Sequence, residues 1–308
     1  MSDPNNQLCA LNHLPPDLVE AILPFLPVKS LGRFKSVSKQ WYSLISSPNF
    51  IKTHILNYIE NNPNPNPTHL VLFPHERDSL YSLDIKQLNT QITPATQTAK
   101  NLNFQEPGRW SLGSCNGLLL VYYRSTLRLV NPTTGKTFKL PYIGGGGGVY
   151  NACGFGYDSS TDDYKVIFFY RTSVHPESHF VSAYSLRNKS CSMLSNCFYK
   201  DYDFDHEQGV LVNNILHWVV RNIRHLKTTI FSFSLATEEF HEIELPDFYK
   251  CSHDYFKIFG VFALGEKLVI VFKDHYKYFY EMWVMEEYGV PKSWTKLCIF
   301  ANDMDVKV

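Results

Sequence analysis

Apolar positions in the first fifty residues recur at helical spacing. Leu18, Ile22 and Leu26 repeat every four positions with Phe25 beside them, which predicts a short helix with one apolar face. Pro15-Pro16-Asp17 suits its start, because proline is tolerated in a first turn and an aspartate favours the positive end of the dipole. Pro24 inside that stretch removes a backbone hydrogen bond and predicts a kink, at roughly 3 kcal/mol in an unprepared site. Pro27 blocks continuation, and Val28, Leu31, Phe34 and Val37 form the next apolar face. Ser38 is the expected N-cap of a third helix carrying Trp41, Leu44 and Ile45, which Pro48 ends. Three short helices cannot bury this much apolar surface among themselves, so part of it should meet a partner.

Residues 61–68, an Asn/Pro stretch, favour extended conformations and read as a semi-rigid spacer. After it the period becomes strand-like. Apolar runs enter from turns at Asn116, Asp163, Asn214 and Glu266, roughly 50 residues apart as in a kelch-type propeller blade. Each run precedes a strand, a polar turn and a second strand: 127–141, 181–194, 230–246 and 280–297. A β-sandwich also carries many short strands, but the repeated order of motifs favours a propeller. Leu70–Phe73 and Ser79–Asp84 form a further strand pair, an incomplete first blade. The C-terminal residues after Phe300 are too few and too polar to complete it, which predicts an open edge between Leu70–Asp84 and Trp283–Phe300.

The expected architecture is therefore α+β and multidomain, with a small three-helix module and an all-β propeller-like domain incomplete at its C-terminus. The boundaries are a disordered start at 1–13, a helical module at 14–60, the linker at 61–68, the β domain at 69–300 and a tail at 301–308. Composition narrows the function. The 29 basic and 29 acidic residues balance, which argues against a polyanion-binding protein, so no nucleic-acid partner is expected. No apolar run is long enough to insert in a membrane, and Met1–Asn6 lacks a signal pattern. Seven scattered cysteines without a C-x-x-C pair fit a reducing compartment, cytosol or nucleus.

The order Leu14-Pro15, Ile22-Leu23, Leu26-Pro27-Val28-Lys29-Ser30-Leu31, Arg33-Phe34, Val37-Ser38, Trp41, Leu44-Ile45 and Phe50 resembles the F-box. Ser114–Leu119, Asn131–Thr134, Gly154–Asp158, Asp162–Val166, Leu216–Trp218, Ser234–Phe240, Met282–Tyr288 and Ser293–Lys296 resemble, in family order, the plant F-box-associated domain. That resemblance implies the substrate receptor of a Skp–cullin–F-box ubiquitin ligase, not itself an enzyme. Leu14, Pro15, Leu18, Ile22, Leu23, Leu26, Pro27, Leu31, Phe34, Val37, Trp41, Leu44 and Ile45 would then meet a Skp-type adaptor, and through it a cullin. A truncated decoy that binds adaptor or target without productive ubiquitin transfer is the alternative.

No metal or cofactor is expected. His206 and His253 lack zinc-site spacing, and His217, between Leu216 and Trp218, reads as a packed sheet residue. The five glycines at 144–148 lead into Val149-Tyr150 and not into a phosphate-loop lysine, so they read as a connector. An unknown protein target should meet the long loops at 142–150, 171–180, 199–207, 221–229 and 247–257. Tyr199, Tyr202, Phe204, Phe248, Tyr249 and Tyr255 would be aromatic anchors there, with Arg221, Arg224 and Lys227 supplying charge. The same rings could equally pack the loop bases.

Overall fold

The computed structural model describes residues 15–61, 69–72, 81–84, 100–101, 110–123, 126–132, 134–141, 149–171, 179–195, 201–204, 208–225, 227–252, 256–274, 276 and 279–301. The chain divides into two compact units, Met1–Asn66 and Pro67–Val308.

The first unit is helical: α1 (Pro16–Ile22), α2 (Val28–Phe34), α3 (Lys39–Ser46) and α4 (Pro48–Asn61). The kink expected at Pro24 is a full stop instead. α1 ends at Ile22, and Leu23–Phe25 tighten into a 3-10 turn in which the Leu26 amide donates to the Leu23 carbonyl at 3.1 Å. A 3-10 turn lets the proline ring sit in its first positions, where the missing N–H leaves no helical bond unmade. Ser38 caps α3 as expected, its Oγ accepting from the Trp41 amide at 3.1 Å. Three helices become four. Pro48 ends α3 and also opens α4, since proline suits a first turn and Ser47 Oγ caps it by accepting from the Phe50 amide at 3.2 Å. Val19, Leu23, Leu31, Ile45 and Phe50 close the core, flanked by Leu26, Phe34, Trp41 and Leu44.

The second unit is built from antiparallel sheets in chain order. β1 (His69–Leu72), β2 (Tyr81–Asp84) and β3 (Lys100–Asn101) make a three-stranded sheet. β4 (Trp110–Cys115), β5 (Leu118–Tyr123), β6 (Thr126–Asn131) and β7 (Lys136–Lys139) make a four-stranded one. β8 (Val149–Asp158), β9 (Asp163–Arg171), β10 (His179–Ser185) and β11 (Ser190–Ser195) repeat the plan. In the next sheet β12 (Tyr202–Phe204) and β13 (Val210–Val212) share one edge of β14 (Ile215–Asn222), followed by β15 (Thr228–Ser234) and β16 (Phe240–Ile243). The last sheet is β17 (Phe256–Leu264), β18 (Lys267–Asp274), β19 (Phe279–Met285) and β20 (Trp294–Ala301).

Side-chain alternation explains how these sheets pack. Along β9, Val166, Phe168 and Tyr170 join the core shared with β4–β7, while Ile167 and Phe169 join the one shared with β12–β16. Along β14, Leu216, Trp218 and Val220 face back to β8–β11, and Val219 faces forward to the β17–β20 sheet. Because successive side chains point to opposite faces, these continuous apolar runs make each inner sheet apolar on both faces. The sheets from β4 to β20 stack face to face in succession, each four-stranded unit a blade of a propeller-like domain. The last blade has all four strands, and the first described sheet has three. Among the described residues no strand pairing links those two sheets, and none closes the sheets into a barrel.

Turn chemistry sets the repeat. Asn116, Asp162, Asn213, Asn214 and Gly265 hold positive φ at the first hairpin of successive blades, and Gly135, Lys189, Glu238 and Gly289 do so at the last.

Candidate functional site

Two surfaces are the candidates: the outer face of the helical unit and the end of the blades that bears the long connections. On the helical unit the thirteen residues expected to meet an adaptor separate into groups. Leu23, Leu31 and Ile45 are buried in the core, and Leu26, Phe34, Trp41 and Leu44 pack against it, with the Phe34 and Trp41 rings edge to face at 5.4 Å. These position the unit and have little surface left to offer. Leu18, Ile22 and Val37 are 49%, 49% and 60% exposed, and Pro15 and Pro27 are exposed beside them. Leu14 lies outside the described residues. Phe25 and Val28, 66% and 53% exposed, belong with the outward group but were not in the expected set. The signal was present, since both were read as part of the apolar faces. Ile51, Leu56 and Tyr58 add exposed apolar surface on α4, a helix the sequence reading did not separate.

His54 ties α4 to the 3-10 turn, its Nε2 lying 2.9 Å from the Leu26 carbonyl. The helical unit is therefore closed inside while its outer apolar residues are left without cover from their own unit.

In the blades, antiparallel alternation puts the β5–β6, β9–β10, β14–β15 and β18–β19 connections at the same end as the links between sheets. Much of that end lies outside the described residues, including Tyr199 and Tyr255. The expected anchors that are described there are engaged in packing. The Tyr202 ring lies 4.6 Å from Phe231, Phe204 lies 4.4 Å from Phe169, and Phe248 stacks on Trp283 at 4.3 Å. Tyr249 is 6% exposed against Phe272. Burying an aromatic face at a blade junction removes 150–250 Å² from water, roughly, so these rings are drawn inward. The cations Arg221, Arg224 and Lys227 stay exposed.

The opposite end is held by buried charge. Lys165 Nζ donates to Asp158 Oδ2 at 3.0 Å, to Glu238 Oε1 at 2.8 Å and to the Leu235 carbonyl at 2.8 Å, joining two blades. Burial pushes the Asp158 carboxyl up, but hydrogen bonds from Ser160, Thr161 and Lys165 outweigh it and hold the pKa at about 2. Asp163 accepts from Ser185 Oγ and, at 2.8 Å, from the Arg187 amide. The Asp and Lys of the Asp162–Val166 motif are thus blade staples.

Glycines set blade spacing in the same region. A Cβ on Gly154 would sit 2.5 Å from Trp218 Cζ2, and one on Gly209 2.6 Å from Trp218 Cε2. The Cys153 carbonyl between them accepts both the Gly209 amide, at 2.7 Å, and the Trp218 indole N–H, at 3.1 Å. His217 is fully buried, Nδ1 3.2 Å from the Val210 carbonyl and Nε2 2.7 Å from the Tyr288 hydroxyl of the last blade. Burial lowers its pKa to about 4, against the smaller opposing effect of backbone hydrogen bonds. Burial also pushes the Cys115 thiol up to about 11, leaving it protonated at neutral pH. Among the described residues no three His, Cys, Asp or Glu side chains come together to hold a metal ion, and no helix is long and apolar enough to cross a membrane.

Comparison with known proteins extends these observations. The F-box associated beta propeller domain family matches residues 70–308, and the F-box domain family matches residues 11–53. F-box protein CPR1 of Arabidopsis thaliana is 28% identical over 319 residues, covering 96% of this chain and 74% of that protein. An F-box/kelch-repeat protein of the same plant is 28% identical over 316 residues, covering 96% of this chain and 82% of that protein. Among solved structures, TolB from Acinetobacter baumannii superposes with a TM-score of 0.44 at 12% identity, over 77% of this chain and 55% of that one.

Proposed function

We propose that this chain, which belongs to the F-box associated beta propeller domain family and carries an F-box domain at its N-terminal end, is the substrate-recognition subunit of a Skp–cullin–F-box ubiquitin ligase. One observation carries the reading. The F-box unit completes its own core with Val19, Leu23, Leu31, Ile45 and Phe50, yet leaves Leu18, Ile22, Phe25, Val28 and Val37 exposed on its outer side. Exposed apolar residues gathered on one small module mark a protein interface. A Skp-type adaptor is the partner proposed for it, with a cullin reached through the adaptor.

The blades would hold the target, and the other subunits would do the chemistry. The gain is proximity, a raised effective concentration of target near a charged ubiquitin-conjugating enzyme. Action in the cytosol or nucleus is part of the proposal, and the free thiols of Cys115, Cys191 and Cys298 among the described residues support a reducing compartment. Affinity capture of the full chain from plant tissue tests it. Co-purification of adaptor and cullin, with ubiquitin transferred to a trapped protein, is the expected result. Capture of a target without adaptor or cullin would overturn it.

A further inference from the structure

On the proposal that the exposed side of the F-box unit docks an adaptor, we infer that Ser36 is a phosphorylation site for an arginine-directed protein kinase, and that phosphate there blocks that docking. The spacing Arg-x-x-Ser occurs twice in the chain, at Arg33–Ser36 and at Arg187–Ser190. Kinases of this class select a serine by the charge pattern before it, so the arginine must be free to be read. The structure separates the two. Arg187 is engaged: its guanidinium donates to the Thr161 carbonyl at 2.8 Å and lies 4.0 Å from Asp162, and its amide donates to Asp163 at 2.8 Å. Ser190 is the first residue of β11, in register with Ser185 of β10. Arg33, in the last turn of α2, is exposed, and its guanidinium has no hydrogen-bond or ion-pair partner among the described residues.

Ser36 is exposed in the turn between α2 and α3, outside both helices. Its amide and its hydroxyl both donate to the Arg33 carbonyl, at 3.1 and 2.6 Å, so opening that one turn presents hydroxyl and arginine together. No aspartate or glutamate occurs between Glu20 and Glu60, so the segment offers a kinase cations alone, Lys35 and Lys39 among them. In the reaction Ser36 Oγ attacks the γ-phosphorus of ATP. The Oγ–P bond forms, the bond to the bridging oxygen breaks, ADP leaves, and the hydroxyl proton passes to the base of the kinase. The next residue, Val37, is 60% exposed and belongs to the outward apolar group. A phosphate of about −1.5 to −2 charge beside it would have to shed water when an apolar partner closes over Val37, which opposes docking.

The purified full chain, incubated with ATP and the catalytic fragment of a calcium/calmodulin-dependent protein kinase, provides the test. Mass-spectrometric mapping should find phosphate on Ser36 and none on Ser190, and Ser36→Ala should lose it. The phosphorylated chain, separated from the unmodified one, should bind a purified Skp-type adaptor at least tenfold more weakly. Phosphatase treatment should restore the affinity, and Ser36→Ala should bind as the unmodified chain does before and after the kinase. Thermal unfolding of the phosphorylated chain should match the parent; a lowered first transition would mean that the phosphate unfolds the unit, and would overturn the block as stated. No phosphate on Ser36, phosphate on Ser38 or Ser190 in its place, or equal adaptor affinity with Ser36 phosphorylated would also overturn the inference. Adaptor binding by the unmodified chain keeps the outcomes separate. Its presence with no effect of phosphate removes the switch and leaves the receptor reading standing, and its absence removes that reading and the switch together, while the mapping still decides the site.

Discussion

At the scale of single residues, contacts between blades decide most. Gly154 sits where any side chain would meet Trp218 and Leu216. Gly154→Ala should destabilise the blade unit by about 1–3 kcal/mol, the usual cost of overpacking, read as a lower denaturant midpoint. An unchanged midpoint would show that Trp218 can move away. His217 gives a pH signature. Its folded pKa lies near 4, below the unfolded value of about 6.5, so the unfolded chain binds the extra proton between those limits. The stability His217 contributes is therefore present above about pH 6.5 and falls away as pH drops toward 4, by about 3 kcal/mol in all. Urea unfolding at several pH values checks this, and His217→Asn should flatten that slope. Neither residue's partner was legible in the sequence. Gly154 was visible as part of a motif and His217 as a sheet residue, but Trp218 stacks over Gly154 and Tyr288 caps His217 only once two blades meet.

At the scale of elements, periodicity gave what local rules can give. The strands entered from Asn116, Asp163, Asn214 and Glu266 are β5, β9, β14 and β18, because a positive-φ turn next to a short continuous apolar run has few other solutions. Misreadings came where one residue has two uses. Pro24 reads as a kink but closes α1 into a 3-10 turn, and Pro48 reads as a stop but opens α4. The loop aromatics read as anchors or as packing with equal right, and only the fold shows Tyr202, Phe204, Phe248 and Tyr249 turned against neighbouring rings. Ser38 was legible because capping is local. Ser38→Ala should cost the helical unit about 1 kcal/mol through the lost bond to the Trp41 amide, measured as a lower melting temperature of the full chain's first transition. No shift would mean that packing alone holds α3.

At the scale of the whole molecule, a unit proposed to bind an adaptor and a unit proposed to bind a target are joined in one chain, so the account depends on adaptor docking through the exposed side of the F-box. The sequence marked the apolar residues but could not tell core from contact surface, since both obey the same helical spacing. Leu23, Leu31 and Ile45 face in; Leu18, Ile22, Phe25, Val28 and Val37 face out. The direct measurement is a titration of a purified Skp-type adaptor against the full chain and against Leu18→Asp with Ile22→Asp. Both positions are half exposed, so the variant should melt like the parent. Loss of buried interface anchors commonly costs about 2 kcal/mol or more, which is about thirtyfold in affinity. The account predicts adaptor binding by the parent chain and a loss of at least that size in the variant; equal affinity for both, or no binding by the parent, would contradict it.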